Sequence, residues 1–280
     1  GLTVNVYLED WSNGMRNSPD YVYEIIEGLN KLQVERIMLP DTLGILNHEE
    51  SHKFCKDVID RFPDTRFDFH AHNDYDLSVS NVYEALKAGV SGIHTTMNGL
   101  GERAGNVPLS SVIGIVKDHL KGDLSLDEKK LYKVSKIIES FSGIRIPQNK
   151  PLIGEFVFTQ TSGIHADGDS KDNLYHNSLA PERFGRNYSY ALGKMSGKAN
   201  IKKNLEALGI ELSKEETQQV TQKIIELGDK KESITKEDLP FIINDVLRSE
   251  KIDQKVIIKN YALSVAQGLR SMATLNLEVS

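Results

Sequence analysis

Residues 36–71, RIMLPDTLGILNHEESHKFCKDVIDRFPDTRFDFHA, contain two short β-rich runs with an amphipathic helix between them. The helix is predicted to begin at Asn47, because Glu50 three residues later completes a capping-box pattern. Its apolar residues recur at helical spacing, at Phe54, Cys55, Val58, Ile59 and Phe62. The flanking runs at 36–39 and 66–71 are therefore predicted to be parallel strands joined by a helical crossover.

The same alternation of strand and helix continues on both sides of this stretch. Strands are predicted at 4–8 and 93–97, and helices are predicted to begin at Ser18, Ser78 and Pro108. Ser18 is a suitable N-cap because Pro19 follows it at the first helical position, and Gly89 is a suitable end for the helix that Ser78 caps. Four βα units in a row predict an α/β fold with parallel strands and right-handed crossovers.

The pattern changes beyond residue 120. After a linker-like segment at 121–123, helices are predicted at 127–141, 197–208, 213–228 and 235–248, and strands at 256–258, 261–265 and 273–279. We therefore expect an α/β domain at 1–120, helical linker subdomains at 121–250 and the start of a further domain at 251–280. Two terminal strands cannot bury a face by themselves, and Gly1 leads directly into a strand, so a fragment is expected at both ends.

Composition narrows the class of protein. The 280 residues carry 34 Lys and Arg against 40 Asp and Glu, a formal net charge of −6, which does not favour a nucleic-acid binder. No apolar run approaches the roughly 20 residues of a membrane-spanning helix, and no leader pattern opens the sequence, so a cytoplasmic protein is expected. The single Cys55 cannot form an intrachain disulfide, and its apolar setting indicates a buried structural thiol.

Polar residues follow each of the four predicted strands, at Glu9-Asp10, Asp41-Thr42, 70–74 and 98–106. The carboxyl ends of parallel strands converge in α/β folds, so these groups are expected to share a site. His70 and His72 are two positions apart on a strand, and the two-residue period points both rings to the same face, where they can bind one metal ion. Two imidazoles leave room for oxygen ligands, so Zn²⁺, Mn²⁺, Co²⁺ and Mg²⁺ are all candidates.

Other interpretations of these residues remain open. The His-x-His pattern is also compatible with two partly exposed histidines, although Asn73 and Asp74 are well placed to orient the rings. The glycine-rich loop at 99–106 does not have the spacing of a dinucleotide-binding fingerprint. Asn106, at its end, either caps the helix that Pro108 opens or turns its amide oxygen to the metal, and His94 is interpreted as structural.

Five segments together carry a resemblance to a known family. They are LEDWSNG at 8–14, LPDTLG at 39–44, HAHND at 70–74, NGLGERAGN at 98–106 and TSGIHADG at 161–168. In this order they resemble the 2-isopropylmalate, homocitrate and citramalate synthases. Within that family Tyr7, the segment EDWSNG and the segment HNDYDL, in which Asp76 replaces a glycine of many relatives, look most similar to citramalate synthases.

The resemblance implies a (βα)₈ TIM barrel, a helical linker region and a C-terminal regulatory domain that binds an end-product amino acid. Against that template the sequence holds barrel strands five to eight, the linker subdomains and the first regulatory strands. The front half of the barrel would contain an Arg-Asp pair whose Asp is the third metal ligand. We therefore expect the chain alone to have an incomplete site, which a partner chain, a second copy or the rest of a longer product completes.

The resemblance also implies a reaction, the metal-dependent condensation of acetyl-CoA with a 2-keto acid, which releases CoA. It gives Glu9, His165 and Tyr175 as catalytic residues, Tyr7 and Thr42 as substrate contacts, and His70, His72 and Asn106 as metal ligands, with helix capping an equal alternative for Asn106. His165 and Tyr175 would reach into the neighbouring subunit's site, so a homodimer with linker contacts across it is expected.

Several functions are compatible with this pattern. The leading expectation is that pyruvate is the keto acid and (R)-citramalate the product. A 2-isopropylmalate synthase would use 3-methyl-2-oxobutanoate instead. A non-catalytic half that docks on a partner is a third possibility, and a lyase running the reverse cleavage is a fourth, which the linker and regulatory strands disfavour.

Overall fold

The computed structural model describes residues 2–160, 177–193, 198–230, 234–247, 256–265 and 271–279. The chain divides into two compact units, the first made of Gly1–Phe158 and His176–Tyr188 and the second of Thr159–Tyr175 and Ser189–Ser280. The assignment of domains to 1–120, 121–250 and 251–280 stays a prediction.

A four-stranded parallel sheet lies at the centre of the first unit. Its strands are β1 (Asn5–Tyr7), β2 (Arg36–Asp41), β3 (Phe67–Ala71) and β4 (Gly92–His94), in the spatial order β1-β2-β3-β4. Each strand pairs in parallel with the next one along the chain, so a crossover connects every pair. The predicted α/β fold with consecutive parallel βα units is confirmed for this part of the chain.

The helices of the first unit begin and end where local chemistry favours it. They are α1 (Trp11–Asn17), α2 (Pro19–Lys31), α3 (His48–Arg61), α4 (Ser78–Ala88), α5 (Leu109–Asp118) and α6 (Leu131–Ser142). The capping box before α3 is confirmed, since Asn47 Oδ1 accepts from the Glu50 N–H and the Glu50 carboxylate accepts from the Asn47 N–H. The predicted end of α4 is also confirmed, because Gly89 has a φ of +108°, in the left-handed region.

One predicted cap is wrong. Ser78 is the first residue of α4, and Leu77 occupies the N-cap position. The Ser78 hydroxyl donates at 2.5 Å to Asn73 Oδ1, which also accepts from the Ser78 backbone N–H at 3.2 Å. The Asn73 side chain, five residues upstream, therefore accepts from the first N–H of the helix. A capping pattern that considers only the residues next to the helix start does not predict this contact.

The sheet packs against the helices through one of its faces. The strand side chains in this core are at most 1% exposed, and they are Ile37, Leu39, Phe67, Phe69 and Ala71. Trp11 of α1 joins them and packs edge-on against Phe54 and Phe69. Cys55 lies in the same core, where burial raises the pKa of its thiol, in agreement with a structural thiol.

An ionic cluster joins the end of α5 to two 3₁₀ helices, Glu128–Lys130 and Pro181–Phe184. Arg183 donates at 2.7 Å to both Asp118 and Glu128, and Lys117 donates at 3.1 Å to Glu128. Burial raises the pKa of Glu128, but the hydrogen bonds from Arg183 and Lys117 outweigh it and hold that pKa below its usual value. The cluster therefore stabilises the ionised form of Glu128.

Replacing Arg183 with methionine is expected to reduce the free energy of unfolding of the first unit by about 2 kcal/mol at pH 7, because the Glu128 side chain is only 10% exposed and loses its main partner. A carboxylate with a lowered folded-state pKa contributes stability above its unfolded-state pKa and loses it as pH falls. The difference in Tm between the two proteins should therefore shrink below about pH 4.

The Arg66→Met variant is the matched control for this prediction. Its partner Glu35 is 47% exposed, so the loss should stay within about 0.5 kcal/mol at any pH. A loss for Arg183→Met as small as the control's would show that the cluster contributes nothing to folding.

The second unit contains the helices Lys198–Leu208, Lys214–Asp229 and Leu239–Leu247. The predicted capping boxes of Ser213 with Glu216 and of Thr235 with Asp238 are both confirmed. The buried side chains of this helical core include Ile201, Leu205, Val220, Ile224 and Leu239.

Two small sheets complete the second unit. Thr159–Gln160 pairs in parallel with Ser189–Tyr190, and Val256–Ser264 forms an antiparallel hairpin with Met272–Val279. Across the part of the chain that the structure describes, none of the helices has the length and apolar content required to cross a bilayer.

Candidate metal centre

His70 and His72 converge at the carboxyl end of β3. Both rings are half-buried, their Nε2 atoms lie 3.4 Å apart, and their planes make an angle of 69°. His70 is on the strand, and His72 is the first residue beyond its end. The two residues are two positions apart, so both side chains point to the sheet face that does not pack on the helices. The structure thus brings together the two histidines that the sequence singled out.

The spacing of the two nitrogens fits a shared divalent ion. Two ligands about 2.0–2.1 Å from one ion at a tetrahedral angle lie about 3.4 Å from each other. Burial, followed by the nearby rings of His72 and His94, lowers the pKa of His70 to about 4, so its imidazole is neutral and its lone pair is available. The geometry of the pair and the neutral imidazole of His70 therefore suit a metal.

Asn106 lies across the backbone from His72 and carries an amide oxygen. It forms an antiparallel bridge with His72, and its Nδ2 donates at 3.0 Å to the Leu100 carbonyl. Its Oδ1 is buried and has no hydrogen-bond partner among the described residues. The helix-cap alternative is wrong, because the N-cap of α5 is Pro108 and no side chain caps it. A buried, unpartnered amide oxygen is a suitable hard ligand beside two imidazoles.

No group of three or more His, Cys, Asp and Glu side chains among the described residues is arranged to hold a metal. The ligand set that these residues offer is thus two imidazoles and one amide oxygen. A bound ion needs further ligands, since Zn²⁺ takes at least four and Mg²⁺ six.

The expectation that Asn73 and Asp74 orient the histidine rings is wrong. Asn73 is engaged with Ser78 and Asp76, and Asp74 forms an ion pair with Arg103. The Nδ1 atoms of both rings are buried without a hydrogen-bond partner in the described part of the chain. The ring orientations are therefore set by packing.

Arg103 fixes the glycine loop over this end of the sheet. Its guanidinium donates two hydrogen bonds to Asp74, at 2.7 and 2.9 Å, and one to the Thr42 carbonyl at 2.8 Å. The Arg103 hydrogen bonds lower the pKa of Asp74, which keeps the pair ionised. The loop that carries Asn106 is thereby tied to the ends of β2 and β3.

The other predicted residues of the first unit surround the histidine pair. Tyr7 lies with its ring centroid 6.1 Å from that of His70, and burial, then the charges of Asp68 and Glu9, raise the pKa of its phenol. Glu9 is exposed, and its charge raises the pKa of His70 against the larger opposing effects. The Thr42 hydroxyl accepts from the Asp10 N–H at 2.9 Å.

Asp41 ends the second strand but does not join this group. It is fully buried and accepts hydrogen bonds from the Ser12 hydroxyl and from the backbone N–H groups of Ile45 and Leu46. Burial raises the pKa of Asp41 despite these bonds. Its carboxylate therefore organises the loop after β2.

Two predicted catalytic residues, His165 and Tyr175, lie outside the described residues.

Sequence reasoning interpreted His94 as structural and did not place it beside the histidine pair. His94 pairs in register with His70, their ring centroids are 5.7 Å apart, and Tyr7 Oη lies 2.9 Å from His94 Nδ1. Asp68, two residues before His70 on the same face, lies 3.6 Å from His94 Nε2. The two-residue period of a strand places Asp68 on the same face as His70, and the pairing of β3 with β4 places His94 there too. These two signals would have indicated Asp68 and His94.

Two family matches cover most of the chain. Residues 3–138 match the HMGL-like family, and residues 152–232 match the homocitrate synthase post-HMGL domain-like family. The first match includes the sheet and the histidine pair, and it supports a TIM-barrel-type α/β fold for this region.

Individual relatives agree with these matches. A homocitrate synthase from Sulfolobus acidocaldarius is 38% identical over 80% of this chain and 47% of its own length. A protein from Methanopyrus kandleri named as an (R)-citramalate synthase is 34% identical over 88% of this chain and 48% of its own length. A second protein from the same organism, named as a 2-isopropylmalate synthase, is 32% identical over 100% of this chain and 55% of its own length. The chain thus spans about half the length of these relatives.

The resemblance inferred from the five motifs is confirmed: the chain belongs to the HMGL-like family, in the group of 2-isopropylmalate, homocitrate and citramalate synthases.

Proposed function

We propose that the protein to which this chain belongs catalyses the metal-dependent Claisen-type condensation of acetyl-CoA with pyruvate, giving (R)-citramalate and CoA. The observation that carries the proposal is the convergence of the His70 and His72 Nε2 atoms to 3.4 Å at the strand ends, beside Tyr7 and Glu9. The relatives named as citramalate, 2-isopropylmalate and homocitrate synthases support the reaction class.

The ligand set suits Zn²⁺, Mn²⁺, Co²⁺ or Mg²⁺, held by His70, His72 and Asn106. Such an ion supplies Lewis acidity toward the keto-acid carbonyl when it is bound. Arg103 contributes indirectly, because its ion pair with Asp74 keeps the loop bearing Asn106 in place.

Glu9 is the proposed base. Its carboxylate is exposed at the mouth of the sheet and close enough to act on the pKa values of His70 and Tyr7. It would take a proton from the methyl group of acetyl-CoA, and the resulting carbanion would form a carbon–carbon bond with C2 of the keto acid. The carbonyl π bond of the keto acid breaks as this bond forms, and its oxygen takes up a proton to become the hydroxyl of the product. Water then cleaves the thioester, so the sulfur leaves as CoA thiol and the carbonyl carbon becomes a carboxylate.

Thr42 and Tyr7 are the proposed keto-acid contacts. The Thr42 hydroxyl oxygen already accepts from Asp10, which orients its hydrogen as a donor for a substrate carboxylate. The Tyr7 ring stands beside His70 and takes up room that a branched side chain would need, which favours pyruvate over 3-methyl-2-oxobutanoate. His165 and Tyr175 as catalytic residues, and a homodimer with linker contacts, remain predictions.

CoA release by the whole gene product tests this proposal. With acetyl-CoA and pyruvate, a thiol-reactive dye should report turnover that a chelator abolishes and a divalent metal restores. Pyruvate should exceed 3-methyl-2-oxobutanoate in kcat/KM by about tenfold or more, since the discrimination rests on a few methyl groups. Faster turnover of 3-methyl-2-oxobutanoate would favour a 2-isopropylmalate synthase. Absence of CoA release with every 2-keto acid would exclude the synthase function.

A further inference from the structure

Three polar side chains, Tyr7, Asp68 and His94, lie on the sheet face that does not pack on the helices. Tyr7 of β1 is level with Met38 of β2, which is level with Asp68 of β3, and His70 is level with His94 of β4. Because side chains two residues apart along a strand share a face, Tyr7, Asp68 and His94 all point to the side on which His70 lies.

These side chains make a continuous set of contacts. Tyr7 Oη lies 2.9 Å from His94 Nδ1, and His94 Nε2 lies 3.6 Å from Asp68 Oδ2. Asp68 is held in turn by Arg36, which donates to the same oxygen at 2.8 Å. The Asp68 side chain is only 4% exposed, so its charge acts on His94 in a poorly solvated setting.

The carboxylate determines the direction of the Tyr7 hydrogen bond. An ionised carboxylate only accepts, so the His94 tautomer with its hydrogen on Nε2, facing Asp68, is favoured. Nδ1 is then an acceptor, and the Tyr7 hydroxyl must donate to it. The phenol ring is thereby held nearly perpendicular to the His70 ring, at an interplanar angle of 78°.

Gly92 makes room for the carboxylate. A Cβ at this position would lie 2.5 Å from Asp68 Oδ1 and 3.0 Å from Asp68 Oδ2. A larger residue at 92 therefore has to displace the Asp68 carboxylate, while Tyr7 and His94 stay chemically intact. A substitution at Gly92 therefore tests the effect of moving the Asp68 carboxylate without removing it.

We propose that Asp68 and His94 are positioning residues, which hold the Tyr7 phenol beside His70 and thereby set the size of the keto-acid side chain that the site accepts. The inference rests on the proposed function, because Tyr7 can select a substrate only if the keto acid binds at the histidine pair. It assigns to His94 and Asp68 an effect on specificity that acts through Tyr7.

The test measures kcat and KM for pyruvate and for 3-methyl-2-oxobutanoate in the whole protein. His94→Leu removes the acceptor and should lower the preference for pyruvate about tenfold, mainly through KM, with a smaller change in kcat. His94→Asn offers an amide oxygen near the place of Nδ1 and should retain most of the preference. Gly92→Ala should resemble His94→Leu. In a Tyr7→Phe background His94→Leu should have little further effect, as expected of two residues that act together.

A spectroscopic measurement separates this inference from the proposed function. In protein labelled with ¹⁵N-histidine, Tyr7→Phe should move the Nδ1 resonance of His94 toward that of a free acceptor nitrogen and leave the Nε2–H resonance in place. His52→Leu on α3 is the control for loss of a histidine, and it should alter neither the preference nor the His94 signals.

The outcomes are distinct. An unchanged substrate preference in His94→Leu, or an unchanged Nδ1 resonance in Tyr7→Phe, would overturn the positioning role. If the resonance moves but the protein turns over no keto acid, the proposed function is wrong and the specificity claim is lost with it.

Discussion

Replacing His70 with alanine in the whole protein is expected to reduce CoA release at least about 1,000-fold. The Nε2 atoms of His70 and His72 lie 3.4 Å apart, and one imidazole alone cannot retain an ion against chelation. Lewis-acid activation of a carbonyl contributes several kcal/mol to the transition state, and each 1.36 kcal/mol is a factor of ten. The bound metal, measured by elemental analysis, should fall in the same variant.

The fold should survive this substitution. His70 is half-buried at the end of β3, and its Nδ1 has no partner among the described residues, so alanine removes no hydrogen bond that holds the sheet together. Circular dichroism and Tm should therefore stay close to those of the parent protein. His119→Ala, at an exposed position after α5, is the matched control and should keep both metal and turnover. Normal turnover by His70→Ala would refute the metal assignment.

Much of the first unit could be predicted because its signals are local. The capping box at Asn47 and Glu50 and the glycine that ends α4 depend on residues within one helical turn. The placement of His70 and His72 on one face depends only on the two-residue period of a strand. These features needed no knowledge of what packs against them.

The errors arise where groups distant in sequence compete for the same partner. Asn73 was expected to serve the histidines, but Ser78 offers it both a hydroxyl and a free helix N–H. Asp74 was expected to do the same, but Arg103, 29 residues away, provides a bidentate charged partner. A carboxylate gains more from a guanidinium than from a neutral imidazole N–H, so the tertiary partner prevails.

The position of His94 could not be predicted from local sequence. Strand register alone places it beside His70 and within hydrogen-bond distance of Tyr7, which lies 87 residues earlier. No motif surrounds it that would identify it alone. Helix α1 was likewise missed, because seven residues are too few to show an apolar period, and it depends on burial of Trp11 in the core.

The backbone of the glycine loop is the second place where a large effect is expected, and Gly105→Ala tests it. Gly105 has a φ of +84°, and a Cβ there would lie 2.0 Å from the Gly99 carbonyl oxygen. That oxygen accepts the backbone N–H of Asn106, while the Gly105 carbonyl accepts the N–H of Asn73. Because the contact is with backbone, the loop itself has to move, and the Asn106 amide oxygen moves with it.

The expected loss has two parts. An alanine in the left-handed region costs about 1–2 kcal/mol, and a forced displacement of packed atoms costs a further 1–3 kcal/mol. Gly105→Ala should therefore lower the free energy of unfolding of the first unit by about 2–5 kcal/mol. It should also weaken Zn²⁺ binding, measured with the metal alone, by about tenfold to a hundredfold, as expected when the support of a ligand is lost.

Gly143→Ala separates these two parts. Gly143 follows α6 with a φ of +71°, so an alanine there has a similar conformational cost. Among the described residues, however, no atom lies within 4 Å of the added Cβ. Its Tm should fall by only a few degrees, corresponding to about 1 kcal/mol, and its Zn²⁺ affinity should be unchanged. If Gly105→Ala behaved like this control, the loop would be free to relax around the clash. The position of the Asn106 amide oxygen would then not depend on Gly105, and the assignment of Asn106 as a metal ligand would lose its structural support.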